Sequence, residues 1–406
     1  NGHLLELFMP QDHDPKFKEF EFENLPLVLP RKYKVKKGFE EQVSTLINLI
    51  KREDVTKIVN ACDDDKEGEI IFREIYNMAN TTKPVFRLLA SSYEVEEVEA
   101  ALNSLQIGEK FDYLGEAGFA RQYLDSLIGD TITRASTVKL AQKKFLLSGG
   151  RVQLCILNEI RQREKAVEDF KPETFYTLYS NVGFLAKYQT EEQITNRSLL
   201  EQLSQKLNGQ LLKVKTFQEK QSKKKPKDLF NISDFYKECI IQLSMTAPKA
   251  KKLLQSLYDD GFVSYPRTDS RHLSSAKVEN VKEVLHKLSG FSSYESMVSM
   301  VDIESISDKH STFNDNLVTA HHAIIPTKKG YPNDASDELK KVYDLIAKRF
   351  IARFLPAATY LVRHVVLMDN EDNEFHATER VLIDKGFLEI YKVPNEEEED
   401  LTTSFT

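Results

Sequence analysis

Val55-Thr56-Lys57-Ile58-Val59-Asn60-Ala61-Cys62 runs straight into Asp63-Asp64-Asp65-Lys66-Glu67-Gly68-Glu69, and the fold of the opening third is decided there. The first eight residues read as a buried strand, and Ile70 to Met78 as the helix after it. Val85 to Ala90 reads as a second strand, and Ser91-x-x-Glu94 as the cap of a helix running towards Leu105. A βαβα rhythm implies a parallel sheet with helices on its faces. Ligands of such sheets bind beyond the carboxyl ends of the strands, where the acidic run begins. Its five carboxylates within seven residues repel one another. The helix dipole rewards acids at an N-terminus by about 0.3–1 kcal/mol each, which accounts for one or two of them, not five. A hard divalent cation removes the repulsion, and Mg²⁺ takes one or two carboxylates together with water and phosphate oxygens.

From Ile107 to about Asp169 the signals are helical: Tyr123, Leu127 and Ile128, then Val152, Cys155, Ile156 and Ile160, fall at helix spacing. Phe170-Lys171-Pro172 closes this region. Strand-like segments follow, Thr174 to Val182 and Leu211 to Phe217, up to a basic run of Lys220, Lys223, Lys224, Lys225 and Lys227. A second helical region covers about Asn231 to Arg353. Thr359 to Met368 and Glu374 to Ile383 again alternate like strands. A β-rich part is therefore expected to be interrupted by a helical insert.

The chain of 406 residues exceeds what one core usually serves, so two to four domains are expected. No apolar run approaches the roughly 20 residues of a membrane helix. The start, Asn1-Gly2-His3-Leu4, has neither an initiator Met nor the pattern of a signal peptide, as expected of a chain that begins inside a longer protein. Cys62, Cys155 and Cys239 are odd in number and far apart, which argues against a disulfide framework or zinc ribbon and for a reducing cytoplasm. The formal charge of −7 does not favour a nucleic-acid partner, and the lysine run read alone is a solvated surface. The motifs have to decide.

Thr246 to Asp260 reads as an amphipathic helix capped by Thr246, with Pro248 in its first turn and Gly261 at its end. Phe262-Val263-Ser264 then leads into Tyr265-Pro266-Arg267-Thr268-Asp269-Ser270. A tyrosine before a proline is held extended, so its ring direction is fixed. With a free pKa near 10 it needs a nearby cation to attack a phosphodiester, and Arg267 is two residues away. Ala320-His321-His322-Ala323-Ile324-Ile325-Pro326-Thr327 follows, with two adjacent histidines that by themselves read as polar surface. Leu147-Ser148-Gly149-Gly150-Arg151-Val152-Gln153 sets two glycines before a helix, where backbone amides can approach a phosphate. Alone, each of these three is better explained as a turn, loop or packed side chain.

Together and in this order they resemble the type IA DNA topoisomerases, and the Pro after Tyr265 and the Arg after Ser270 resemble the topoisomerase III branch. The segment Leu257 to Ser270 is similar to the family's active-site segment nearly residue for residue. Asp-x-Asp-x-Glu-Gly-Glu after a strand is similar to the acidic signature of the Toprim domain. The resemblance implies Tyr265 as nucleophile with Arg267 and His321 at the phosphate. It implies Mg²⁺ at Asp63, Asp65 and Glu67. It also implies DNA contacts by His3 in Gly2-His3-Leu4-Leu5-Glu6, by Arg121, Asp125 and Arg134, and by Ser148, Gly149, Gly150, Arg151, Val152 and Gln153. The fold it implies is multidomain, α/β plus α and β. A partial Toprim α/β domain spans 1–106 and a partial helical single-strand DNA-binding domain 107–170. A β-rich arch spans 171–228 and 357–406, and the inserted helical domain carrying the tyrosine spans 229–356. The implied partners are single-stranded or negatively supercoiled DNA, a RecQ-type helicase, and no membrane, in a cytoplasmic, nucleoid-associated setting. The family has a Glu-bearing strand before Gly-His-Leu and more arch and helical base after Gly386 to Tyr391, so the chain is expected to be a piece of that enzyme. The other readings are a Toprim nuclease or primase, sharing only the acidic cluster, and a non-catalytic single-stranded DNA-binding remnant.

Overall fold

The computed structural model describes residues 2–89, 95–318 and 321–391, which fall into two compact units, 1–170 and 171–406.

In the first unit β1 (Leu5–Leu7) pairs antiparallel with β2 (Tyr33–Val35), with the short α1 (Pro10–His13) between them. After α2 (Glu40–Lys51) come β3 (Ile58–Asn60), α3 (Lys66–Ala79), β4 (Val85–Arg87) and α4 (Val95–Asn103). β3 and β4 pair in parallel, as the βαβα rhythm requires, and β5 (Gln106–Ile107) adds antiparallel to β4. The strand expected over Val55 to Cys62 is shorter than its apolar run. Asn60 Oδ1 accepts from the Cys62 amide at 3.0 Å and turns the chain into the acidic loop. The Ser91 to Glu94 cap lies outside the described residues. Leu4, Leu5, Val43 and Ile75 form the core between β1, α2 and α3.

The long α5 (Asp112–Lys139) lies across α3. Gly118 permits this approach, since a Cβ there would stand 2.5 Å from Ile70 Cγ2 and 2.8 Å from the Lys66 carbonyl oxygen. α6 (Arg151–Glu168) follows, with the expected apolar positions Val152, Ile156 and Ile160 exposed in this unit.

The second unit is built on one antiparallel sheet. β6 (Tyr179–Asn181) and β7 (Leu185–Tyr188) lead through α7 (Arg197–Leu207) to β8 (Lys213–Lys224). The helices α8 (Ile232–Leu243), α9 (Ala247–Asp259), α10 (Val278–Ser289), α11 (Glu295–Val298) and α12 (Asp337–Arg353) then intervene. β9 (Ala358–Met368) and β10 (Glu374–Asp384) complete the sheet in the order β6-β7-β10-β9-β8, and α13 (Leu388–Tyr391) ends the described chain. Two readings change. The lysine run does not end a strand at its start: Lys220, Lys223 and Lys224 belong to β8, which pairs with β9 as far as Lys224↔Ala358, because cross-strand pairing outweighs the poor strand propensity of lysine. α7 was not expected at all.

The helices share a large core that includes Leu254, Leu257, Val281, Leu285, Tyr343, Ile346 and Phe350, none more than 1% exposed. Each such side chain contributes about 1.5–3 kcal/mol by burial. Two arginines one turn apart on α12 anchor the segment entering from the sheet. Arg349 pairs with Glu238 at 2.9 Å, and Arg353 with Asp228 at 3.1 Å.

Candidate functional site

The tyrosine segment lies in the second unit. α9 closes at Asp259, Gly261 turns the chain at φ +74°, and Val263 bridges Pro326. Thr246 sits at the N-cap position of α9 without a side-chain cap bond. Ser264 fastens the tyrosine segment to the histidine segment. Its Oγ donates to the Ala323 carbonyl and accepts from the Ile325 amide, both at 3.0 Å, while its amide donates to the Ile325 carbonyl at 2.9 Å. Thr268 Oγ1 adds a bond to the His321 carbonyl at 2.9 Å. Tyr265 and His321 are thereby brought ring to ring, 4.1 Å between centroids at 37°, with Tyr258 edge-on to Tyr265 at 5.5 Å. Both are 5% exposed, whereas Arg267 is exposed. The Arg267 charge is felt on α8, where burial raises the Tyr236 phenol and Arg267 partly offsets that rise. A phenol, an imidazole and a guanidinium are thus held on two mutually bonded segments. That set can attack a phosphorus atom and neutralise its oxygens.

The acidic turn lies in the first unit. Arg87, fully buried on β4, donates to the carbonyls of Cys62 at 2.8 Å and Asp63 at 2.5 Å, and its Nε faces Glu69 at 3.3 Å. Glu69, also buried, accepts from Asn60 at 3.0 Å and from Arg73 at 2.7 Å. It therefore braces the turn from beneath. Asp65 caps α3, its Oδ1 accepting from the Gly68 amide at 2.7 Å. Gly68 is obligatory here, since a Cβ would fall 2.1 Å from the Asp63 carbonyl oxygen.

Glu67 points away from the turn to a second network. His3 bridges Glu67 at 2.7 Å and Glu74 at 2.9 Å, and Arg121 closes on the other Glu67 oxygen. Gln122, beside Arg121 on α5, links Glu74 at 3.0 Å to the Tyr33 hydroxyl at 2.6 Å. The hydrogen bond to Glu74, ahead of the one to Glu67, raises the His3 imidazole above its ordinary pKa although burial opposes it. The structure does not gather Asp63, Asp65 and Glu67 into one group. Among the described residues no three His, Cys, Asp or Glu side chains are placed to hold a metal ion. The Glu67–Arg121 pair is half exposed and contributes at most about 1 kcal/mol, so a cation can displace Arg121 at little cost.

The remaining expected DNA contacts divide. Asp125, one turn beyond Arg121, pairs with Arg151 at 2.7 Å. Asp125, Arg134 and Gly149 line a cavity of about 480 Å³ with Leu7, Phe20 and Asp130. Arg134 stacks over Phe20 at 4.3 Å, and burial raises the Asp130 carboxyl. The Gly149 amide is not free for a phosphate, because it donates to Thr133 Oγ1 at 3.0 Å. Gly150 is the N-cap of α6, and Ser148, Arg151, Val152 and Gln153 are exposed. Sequence reasoning missed Ser264, Thr268, Glu74, Gln122 and Arg87. Only Arg87, a lone charge in the apolar run Val85 to Leu89, carried a readable signal.

The family model for DNA topoisomerases matches residues 109–405, from α5 through the tyrosine and histidine segments. The chain belongs to the type IA DNA topoisomerases. DNA topoisomerase 1 of Bacillus anthracis is 46% identical over 400 residues, covering 98% of this chain and 46% of that one. DNA topoisomerase 3 of Staphylococcus saprophyticus is 31% identical over 396 residues, covering 96% and 55%. This topoisomerase chain therefore spans about half the length of the curated relatives it matches. The solved topoisomerase I of Thermotoga maritima shares the fold, with a TM-score of 0.71 at 23% identity over 98% of this chain and 64% of that one.

Proposed function

We propose that this chain carries the strand-cleaving chemistry of a type IA topoisomerase. Tyr265 Oη attacks a backbone phosphorus of single-stranded DNA, the bond from phosphorus to the 3′ oxygen breaks, and that oxygen leaves with a proton. The strand stays attached through a 5′-phosphotyrosyl bond. A second strand passes the gap, and the 3′ hydroxyl then attacks to expel Tyr265. The phosphodiester energy is kept in the covalent bond, so no ATP is required. The observation that carries this reading is the Tyr265–His321 ring pair, tied together by Ser264 and Thr268 beside the exposed Arg267. Arg267 neutralises the phosphate oxygens, and His321 donates a hydrogen bond or proton beside the phenol.

The first unit, read as a Toprim domain with the adjoining DNA-binding helices, positions the substrate strand along α5. Asp63 and Asp65 would hold Mg²⁺ together with water and phosphate oxygens, and Glu67 would be a further ligand once released from Arg121. The bound ion would offset negative charge at the phosphate. The sheet of the second unit serves as the arch from which the helical insert swings. The enzyme works on negatively supercoiled DNA in the cytoplasm, with a RecQ-type helicase as partner. A Toprim nuclease or primase would account for the acidic turn alone and leaves the tyrosine segment unused.

The test is covalent trapping. Wild-type protein mixed with labelled single-stranded DNA and then denatured yields an adduct, while Tyr265→Phe yields none and keeps its affinity. An adduct formed equally by Tyr265→Phe overturns the assignment.

A further inference from the structure

The five-stranded sheet sorts its charges by face. Cross-strand partners point to the same side of a sheet, so the register assigns the paired side chains to their faces. One face carries Val365, Leu367, Phe375 and Ala377, which form an apolar core with Ala186. It also holds Arg363 between Glu219 at 2.8 Å and Glu379 at 3.0 Å, so both acids of that row are paired there.

The other face is different. Lys220↔Val362↔Arg380, Gln218↔His364↔Thr378, and Thr216↔Val366↔His376↔Lys187↔Tyr179 form successive rows across it. Lys224, opposite Ala358, adds a further cation where the sheet meets the helical core. Lys187, Lys220, Lys224, Gln218, Thr216, Thr378 and Tyr179 are exposed. The next row, Lys213↔Met368↔Glu374, brings the one carboxylate that the register places on this face, and it is already taken by Lys215 and by His376 at 3.1 Å. His364 and His376 stand edge to face with ring centroids 5.3 Å apart, and His364 bonds Thr378 at 2.9 Å. Lys220 and Lys224 are four residues apart on one strand, about 13 Å at the usual rise.

We propose that this face binds the phosphate backbone of a single DNA strand. Lys187, Lys220 and Lys224 contact phosphates, and Gln218, Thr216 and Tyr179 supply hydrogen bonds and a ring for stacking. The chemistry is that of a single-strand platform: cations that follow the backbone, with an aromatic surface beside them. At its Ala358 end this face packs on the helical core, which takes Tyr360, Val362 and Leu382, and the cationic strip is the part that stays exposed beyond it. Of the acids on these strands, Glu219 and Glu379 lie on the face away from Lys187, Lys220 and Lys224, and Glu374 is held in ion pairs, so the exposed lysines there keep their charge available. The proposal rests on the topoisomerase reading and adds to it a DNA contact remote in sequence from the tyrosine and histidine segments.

The experiment measures binding of fluorescent oligothymidylate to the 406-residue chain over a range of salt concentrations. Lys187→Glu with Lys220→Glu is compared with Lys223→Glu, which lies on the strand of Lys220 but opposite Thr359 and so on the other face. Each lost phosphate contact lowers the salt slope by about 0.7 for a single strand, so the double variant should lose about 1.4 and the control almost nothing. Adduct formation at saturating DNA should be retained by the double variant, which separates this contact from the chemistry of Tyr265. Unchanged slope in the double variant, an equal loss in Lys223→Glu, or no binding by the wild type overturns the proposal. Absence of any adduct alongside the face-specific slope change would instead count against the strand-cleaving reading and leave this surface standing.

Discussion

Replacing Gly68 by Ala should damage this protein, although the same change inside an ordinary helix stabilises it. Helix propensity favours Ala by about 0.8–1.0 kcal/mol. At Gly68, however, the new Cβ would stand 2.1 Å from the Asp63 carbonyl oxygen and 2.8 Å from its amide nitrogen. Ordinary contact begins at 3.4 Å, so the backbone bearing the acidic turn must retreat by about 1.3 Å. That backbone is held from the other side by Arg87, at 2.8 Å to Cys62 and 2.5 Å to Asp63. Overpacking of this kind costs about 1–3 kcal/mol, which leaves a net loss of about 1 kcal/mol. For a unit of this size the midpoint of thermal unfolding should fall by about 2–4 °C. Misplacing the carboxylates by an ångström should lower the rate of covalent adduct formation about 10²-fold. Gly129→Ala on α5, where the nearest atom to the new Cβ is 3.8 Å away, is the control and should be neutral or stabilising. Melting curves and adduct time courses of both variants decide the matter. Gly68→Ala that melts no lower than wild type and forms adduct as fast would refute the close-contact reasoning.

Other outcomes follow from the same geometry. Because the folded His3 imidazole titrates above its unfolded value near 6.5, its stabilising contribution is full below that pH and fades as pH rises through the folded value. The stability gap between wild type and His3→Gln should therefore be widest in mildly acid buffer and narrow towards alkaline pH, as melting scans across pH would record. Ser264→Ala leaves the buried Ile325 amide without its Oγ acceptor and should cost about 1–3 kcal/mol in denaturant titrations. It should also slow adduct formation, by loosening the hold between the Tyr265 and His321 segments. Asp63→Ala with Asp65→Ala should abolish Mg²⁺-stimulated cleavage. Wild-type cleavage that ignores a chelator would speak against a metal at this turn.

Much of the framework was legible because periodicity reports burial. The β3–α3–β4 unit, α5, α9 and the β9–β10 hairpin all announce themselves by spacing. β8 was cut short because five lysines mask a strand whose stability comes from its partner and not its own side chains. α7 is short and lies between strand-like segments, although Leu200, Leu203 and Leu207 do fall at helix spacing. At the site, motif order pointed to Tyr265, Arg267 and His321, but their juxtaposition depends on Ser264 and Thr268, common residues with no signature. The acidic cluster, readable by spacing as a metal site, also has structural duties that spacing does not show: a helix cap at Asp65, a buried brace at Glu69, and the Glu67–His3–Arg121 network. Spacing along a chain counts carboxylates. It does not say which cation each will face.

The central claim is that Tyr265 Oη bonds to the 5′ phosphate of the cut strand. The most direct measurement traps the complex on one oligonucleotide labelled at its 3′ end and on the same oligonucleotide labelled at its 5′ end. Proteolysis and peptide mass mapping then locate the attachment. Only the 3′ label should travel with the denatured protein, and the nucleotide mass should sit on the peptide containing Tyr265. Capture of the 5′ label, or attachment to any other residue, would contradict the claim.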